Sequence, residues 1–266
     1  MIDSHCHLDD ARFEVDRAEV INRARVAGVE LFVLAGVDPA GWVAQERLVR
    51  SHADMVYSAG VHPQVVSSLG EVDLAAALEA LVSWFTRKEG AAPVALGETG
   101  LDRSPVSPPE SFPRQTRAFR QQLALARDLD IPVILHILRM HEETLLILKK
   151  DGLPRAGGVV HSYSGSADLV PRYTSLGLHL AIPGTVSYLR APKIWAAAAA
   201  IPDHLLLVET DAPDQTPEPH RPGRNEPAYL PAILSALARI RGCSEDDLVR
   251  QTTLNTRRLF RLAAPT

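Results

Sequence analysis

The 266-residue chain reads as an α/β protein, a single (β/α)8 TIM barrel spanning residues 1–266. Three observations predict it. Short apolar runs alternate eight times with longer amphipathic ones. The runs VELFVLAG, PVALGE, IPVILH, GGVVH and HLLLVET are nearly continuous in hydrophobicity, as parallel strands covered on both faces must be. The length also matches the roughly 250 residues that one such barrel needs. An open doubly wound sheet is the alternative that this alternation leaves.

Taken in order, the strand-like runs end near His7, Gly36, Val61, Glu98, His136, His161, Ile182 and Glu209. Between them lie helix-like segments at 13–27, 40–50, 71–88, 112–129, 141–150, 167–175, 190–199 and 228–241. In 112–129, Phe112, Phe119, Leu123 and Ala126 recur at offsets of three, four or seven and make one apolar face. Residues 245–262 read as one or two closing helices. Two loops break the rhythm: 102–110, with Pro105, Pro108 and Pro109, and 212–227, with five prolines. Both follow strands, which in a barrel places them on the catalytic face.

A formal net charge of -4 argues against a broad basic surface for duplex DNA. Cys6 and Cys243 are far apart and suggest no disulfide framework. The N-terminal segment MIDSHCHLDD lacks a basic-then-apolar leader, and the bland stretch Trp195–Ile201 is too short to span a bilayer. A soluble cytoplasmic protein acting as a monomer, with no membrane partner, is expected.

The polar residues at the strand ends carry the chemistry. His5 and His7 flank Cys6, so a strand's period of two turns both imidazoles to one side. Glu98, His136 and His161 end the fourth, fifth and sixth strands, and Asp211 follows the eighth. In a barrel the strand C-termini converge, so these six groups would meet at one mouth. Imidazoles and carboxylates suit Zn²⁺, Mn²⁺ or similar ions. Six ligands exceed the usual three of one catalytic zinc and suit two ions bridged by a carboxylate. Glu98, between the histidine groups in strand order, is the expected bridge.

Other residues read differently. His52, His179, His204 and His220 are expected at the surface or in loops. His141 begins an H-E-x-x pattern, but Leu145 stands where a zincin motif needs histidine. Cys6, flanked by two ligands, is expected to pack outward. No P-loop and no G-x-S-x-G elbow occurs.

The segments DSHCHLD (3–9), GVHP (60–63), GETGLD (97–102), PVILH (132–136), HSYSG (161–165), ETDAP (209–213), RNEP (224–227) and NT-R-LF (255–260) appear in this order. Together they make the chain resemble the TatD-type metal-dependent deoxyribonucleases, a branch of the amidohydrolase superfamily. The resemblance runs from Ile2 to about Phe260. It implies an amidohydrolase-like barrel that hydrolyses phosphodiesters with two divalent ions (Mg, Mn or Zn), removing nucleotides 3′ to 5′ from DNA ends or single strands. By motif, His5, His7 and Asp211 would hold one ion, His136 and His161 the other, with Glu98 bridging. His62 of GVHP would be a phosphate-side histidine and not a ligand; the plainer reading is a ring fixed by the turn at Pro63. Asp211, Glu98 and His62 are the expected catalytic residues, with His62, Arg103 and Arg139 gripping phosphates.

The chain departs from the family pattern in places. Leu138 stands where H-x-R is common, with Arg139 one place later; Arg103 replaces an aromatic; Asp214-Gln215 replaces Tyr-Leu; and Ser162-Tyr163 stands for Cys-Phe. None touches the six expected ligands. Two other readings share the sequence: cleavage of C–N or ester bonds in a small molecule by the same metal site, and a non-catalytic barrel that only binds a partner.

Overall fold

In the computed structural model, residues 1–263 are described. Unit one comprises Met1–Leu34 and the chain from His161 on, and unit two Ala35–Val160; both are compact.

In chain order the elements are β1 (Ile2–Cys6), α1 (Arg17–Val26), β2 (Leu31–Leu34), α2 (Pro39–Ser51), β3 (Met55–Ala59), α3 (Pro63–Ser68), α4 (Glu71–Thr86) and β4 (Ala95–Asp102). There follow α5 (Phe112–Leu129), β5 (Val133–Leu138), α6 (His141–Asp151), β6 (Gly158–Val160), α7 (Val170–Thr174), β7 (Leu178–Ile182), α8 (Pro192–Ala200), β8 (Leu206–Val208), α9 (Leu230–Arg241) and α10 (Glu245–Leu259). The strands follow one another in sequence order, β1 to β8, in an eight-stranded sheet. The pairs β1–β2, β3–β4, β4–β5, β5–β6 and β7–β8 are parallel. Sequential parallel strands joined by helices are the topology of the (β/α)8 fold, as expected.

Within unit one, β8 leads back to β1. The Asp211 N–H donates to the His5 carbonyl at 3.0 Å and the His7 N–H to the Ala212 carbonyl at 2.8 Å. Deeper in, buried Asp3 accepts from the Thr210 N–H at 2.9 Å and from its hydroxyl at 2.5 Å. These bonds set the register in which His5, His7 and Asp211 stand side by side.

Within unit two, α5 organises the strand ends. It buries Gln115, Ala118, Phe119, Gln122, Leu123 and Ala126, a stripe at three- and four-residue spacing. The two glutamines in the stripe are clamps. Gln122 accepts from the Val61 N–H at 2.9 Å and donates to the Val61 carbonyl at 3.0 Å, fixing the chain beside His62. Gln115 treats Asp102 the same way, at 2.8 and 3.1 Å. A polar pair thus satisfies backbone groups that burial would otherwise leave orphaned.

Some boundaries differ from expectation. The fourth strand does not stop at Glu98 but continues to Asp102, with a register shift between Leu96 and Thr99. The run continues because Gly100 lets β4 and β5 close: a Cβ there would lie 2.0 Å from the His136 carbonyl oxygen. The short helix α3 has only six residues, too few to show a period. The closing segment is one helix, α10, within the one or two expected. His179, expected at the surface, is buried in β7, because that strand is covered on both faces.

Candidate metal centre

Among the described residues, three groups of side chains offer donor atoms within 4.8 Å of one another: His5, His7 and Asp211; His5, His161 and Glu209; and His62, Glu98 and His136. The first two lie in unit one and the third in unit two. His5, Glu98 and His136 lie within β1, β4 and β5, and the others lie just past the end of a strand.

In unit one, Asp211 turns Oδ1 toward two imidazoles, 3.5 Å from His7 Nε2 and 3.7 Å from His5 Nε2. The His5 ring stacks on that of His161 with centroids 4.0 Å apart. His161 Nδ1 in turn lies 4.0 Å from Glu209 Oε1. Burial opposes the charge on Asp211, but the hydrogen bond from His7 and the fields of three histidines lower its pKa to about 2. Asp211 and Ser162 are both left-handed, with φ of 55° and 45°, so both strand ends turn sharply just where donor groups are needed.

In unit two, His136 faces a carboxylate from each nitrogen. Its Nε2 pairs with Asp102 Oδ2 at 2.8 Å and its Nδ1 lies 3.6 Å from Glu98 Oε2. Burial works against a charged ring, but those two acids outweigh it and raise His136 to about 9. Burial likewise resists the charge on Asp102, and its bonds from His136 and Ser104 overcome this to hold it well below the usual carboxylate range. Asp102 thus fixes the orientation of the His136 ring, leaving Nδ1 toward Glu98.

His62 caps α3: its Nδ1 accepts the Gln64 N–H at 3.2 Å, and its Nε2 lies 3.7 Å from Glu98 Oε2. A neutral ring whose Nδ1 accepts carries its proton on Nε2 and acts there as a donor. The turn at Pro63 therefore fixes the ring, and the same turn aims an N–H at Glu98.

The donor sets fit divalent ions. They are imidazoles and carboxylates, clustered at buried positions: His5 is 0% exposed and Glu98 2%. All six sequence-derived candidates fall in these groups, His161 in the one with His5 and Glu209. Glu209 and Asp102 were not assigned from the sequence. The signal was there: Asp102 closes the GETGLD run four residues after Glu98, and Glu209 stands two residues before Asp211.

The outer residues are less convergent. Arg103 already pairs with Glu143 at 2.8 Å on the exposed surface. Arg139 is exposed, with a left-handed φ of 58°, just before α6. Cys6 is buried, its thiol donating to the Val33 carbonyl at 3.9 Å, and burial raises its pKa, as befits a packing residue.

A sequence-ordered (β/α)8 sheet with imidazoles and carboxylates gathered at its strand ends defines the class: a metal-dependent hydrolase. The comparisons then narrow it. The family model for TatD-related DNases matches residues 2–261. The metal-dependent hydrolase YabD of Bacillus subtilis is 33% identical, covering 98% of this chain and 99% of that protein. A 3′-5′ ssDNA/RNA exonuclease TatD from Erwinia tasmaniensis is 37% identical, covering 98% of this chain and all of the relative (100%). The crystal structure of YjjV, a TatD homolog from Escherichia coli K12, superposes with a TM-score of 0.90 at 32% identity, covering 99% and 98% of the two chains. The chain belongs to the TatD-related DNase family and is a hydrolase of that family. No helix among the described residues is long and apolar enough to cross a membrane.

Proposed function

We propose that this chain hydrolyses phosphodiesters with two divalent ions, removing nucleotides from the 3′ end of single-stranded DNA. The observation that carries the reading is the doubling of the donor sets: each compact unit has its own cluster of at least three. One ion would need a single set; phosphoryl transfer makes use of two. The naming of relatives as 3′-5′ ssDNA/RNA exonucleases supports the bond type and the polarity.

Bound ions would acidify a water and neutralise charge growing on phosphate oxygens. The chain's own residues do the rest. His5, His7 and Asp211 form one ligand set, with His161 and Glu209 beside it. Glu98 and His136 form the other, with Asp102 fixing the imidazole. His62 presents an Nε2–H donor suited to a phosphate oxygen. Asp211, with Oδ1 turned to His5 and His7, is the group that would accept a proton from water. Arg139 is exposed and able to meet a flanking phosphate, a contact that positions a strand without reading its bases. Arg103 would have to exchange Glu143 for one, which an exposed pair permits, since such pairs contribute only about 0–1 kcal/mol.

The test is one gel with Mg²⁺, Mn²⁺ or Zn²⁺ present. Linear single-stranded DNA and RNA, labelled at either end, run beside a covalently closed single-stranded circle, with an amide and ester panel in parallel. Stepwise shortening from the 3′ end with the circle intact is the expected result. Rapid cutting of the circle would replace an exonuclease by an endonuclease. Turnover of amides or esters without any nucleic acid cleavage would discard the phosphodiesterase reading.

A further inference from the structure

The departure Asp214-Gln215 is not absorbed by the ligand sets, yet its second residue reaches into one of them. Asp211 spends Oδ1 on His7 and His5, at 3.5 and 3.7 Å. Its other oxygen, Oδ2, accepts a hydrogen bond from the Gln215 side-chain amide. The same nitrogen also donates to the Ser162 hydroxyl. A carboxamide nitrogen has two N–H groups, and both are thereby spoken for. Ser162 is itself tied in, since its backbone N–H donates to Glu209. The amide therefore braces the chain after β6 against the chain after β8, with Asp211 at one end of the brace.

We infer that Gln215 is a positioning residue: it holds Asp211 by Oδ2 so that Oδ1 stays turned to the histidines with which it would share an ion. The inference rests on the metal-centre reading above. A carboxylate free to turn about its last torsion offers either oxygen, or both, and must be ordered on binding. One held by a fixed donor needs no such ordering.

The donor is fixed because its backbone is anchored. Gln215 has a left-handed φ of 54°, and its carbonyl lies so close to Gly184 that a Cβ there would stand 2.0 Å away. Asn225 Nδ2 donates to the Thr210 carbonyl at 2.8 Å and to the Asp214 carbonyl at 2.7 Å, stapling both sides of the turn. Arg12 adds a fork to the Asp214 carboxylate, at 2.9 Å to each oxygen. A short arm on a pinned backbone has little room to swing.

Residues that orient a ligand from behind typically change metal affinity or activity about 10–100-fold when removed. The full-length protein, stripped with chelator, is titrated with Mn²⁺ by calorimetry as wild type, Gln215→Leu and Gln215→Met. Both replacements are apolar, and methionine keeps the length of the arm, so it serves where leucine disturbs the loop. Circular dichroism of the ion-free proteins checks the fold. At least one bound Mn²⁺ is expected to weaken about tenfold in the variants. With a nucleic acid substrate, kcat should fall while KM holds, because the ligand and not the substrate grip is altered. Wild-type Mn²⁺ affinity in a folded variant would overturn the inference and leave Gln215 as loop filling, and tighter binding would overturn it as well. A wild-type protein that takes up no Mn²⁺ would instead overturn the metal-centre reading beneath it.

Discussion

Asp3, second in β1, receives both the backbone N–H and the hydroxyl of Thr210, next to Asp211, at 2.9 and 2.5 Å. One buried carboxyl thus fixes the register between the segment carrying His5 and the segment carrying Asp211. Burial raises the Asp3 pKa to about 7 despite the bonds from Thr210, so the group is held there against its own solvation preference.

Removing that carboxyl should be felt in stability before it is felt in chemistry. Asp3→Ala leaves a buried Thr210 N–H and hydroxyl without their acceptor, which costs about 1–3 kcal/mol. Asp3→Asn retains an acceptor and should lie nearer wild type. Urea unfolding of the chelated proteins measures both; an alanine variant as stable as wild type would mean that Asp3 does not set the register.

Glu98 is 2% exposed and faces both His62 and His136. Glu98→Ala should abolish turnover and lower the number of bound ions, while the buried strands keep the fold. Metal analysis after dialysis counts what is lost: one equivalent marks a ligand of a single ion, two mark a bridge. Near-normal activity and metal content would remove Glu98 from the centre.

His62 carries a different expectation from its neighbours, because its Nδ1 is taken by the Gln64 N–H. As a donor, it should be dispensable for ion binding and needed for turnover. His62→Ala is expected to keep the metal content and lower kcat about 100–1,000-fold, the range for losing one well-placed donor. Loss of an ion in that variant would show that His62 is a ligand after all.

Arg139 stands one residue past the position where the family pattern places arginine, and it is exposed. If it meets phosphate, Arg139→Ala should raise KM for nucleic acid. The logarithmic salt dependence of binding should also flatten by about 0.7, the share of one phosphate contact on a single strand. An unchanged slope would leave Arg139 as a surface residue.

The sequence by itself determined the strand and helix order, because continuous apolar runs and a 3.6-residue stripe are written in residue types. It singled out six candidate donors as well, because histidines and acids recurring at successive ends of apolar strands are expected to meet at one mouth. α5 was legible to the residue, since Phe112–Leu129 is long enough to show its period. Only the tertiary structure decided which donors share a cluster, because grouping depends on side-chain direction and on register. It placed Asp102 behind His136, because β4 runs past Glu98 to Asp102. It buried His179 in β7 and set Gln115 and Gln122, polar residues within the apolar stripe of α5, as backbone clamps. Gln215 was visible as a departure from a pattern, but its grip on Asp211 was not. Hydrogen bonds between residues in a turn depend on backbone angles such as the left-handed φ of Gln215, and residue type alone does not specify them.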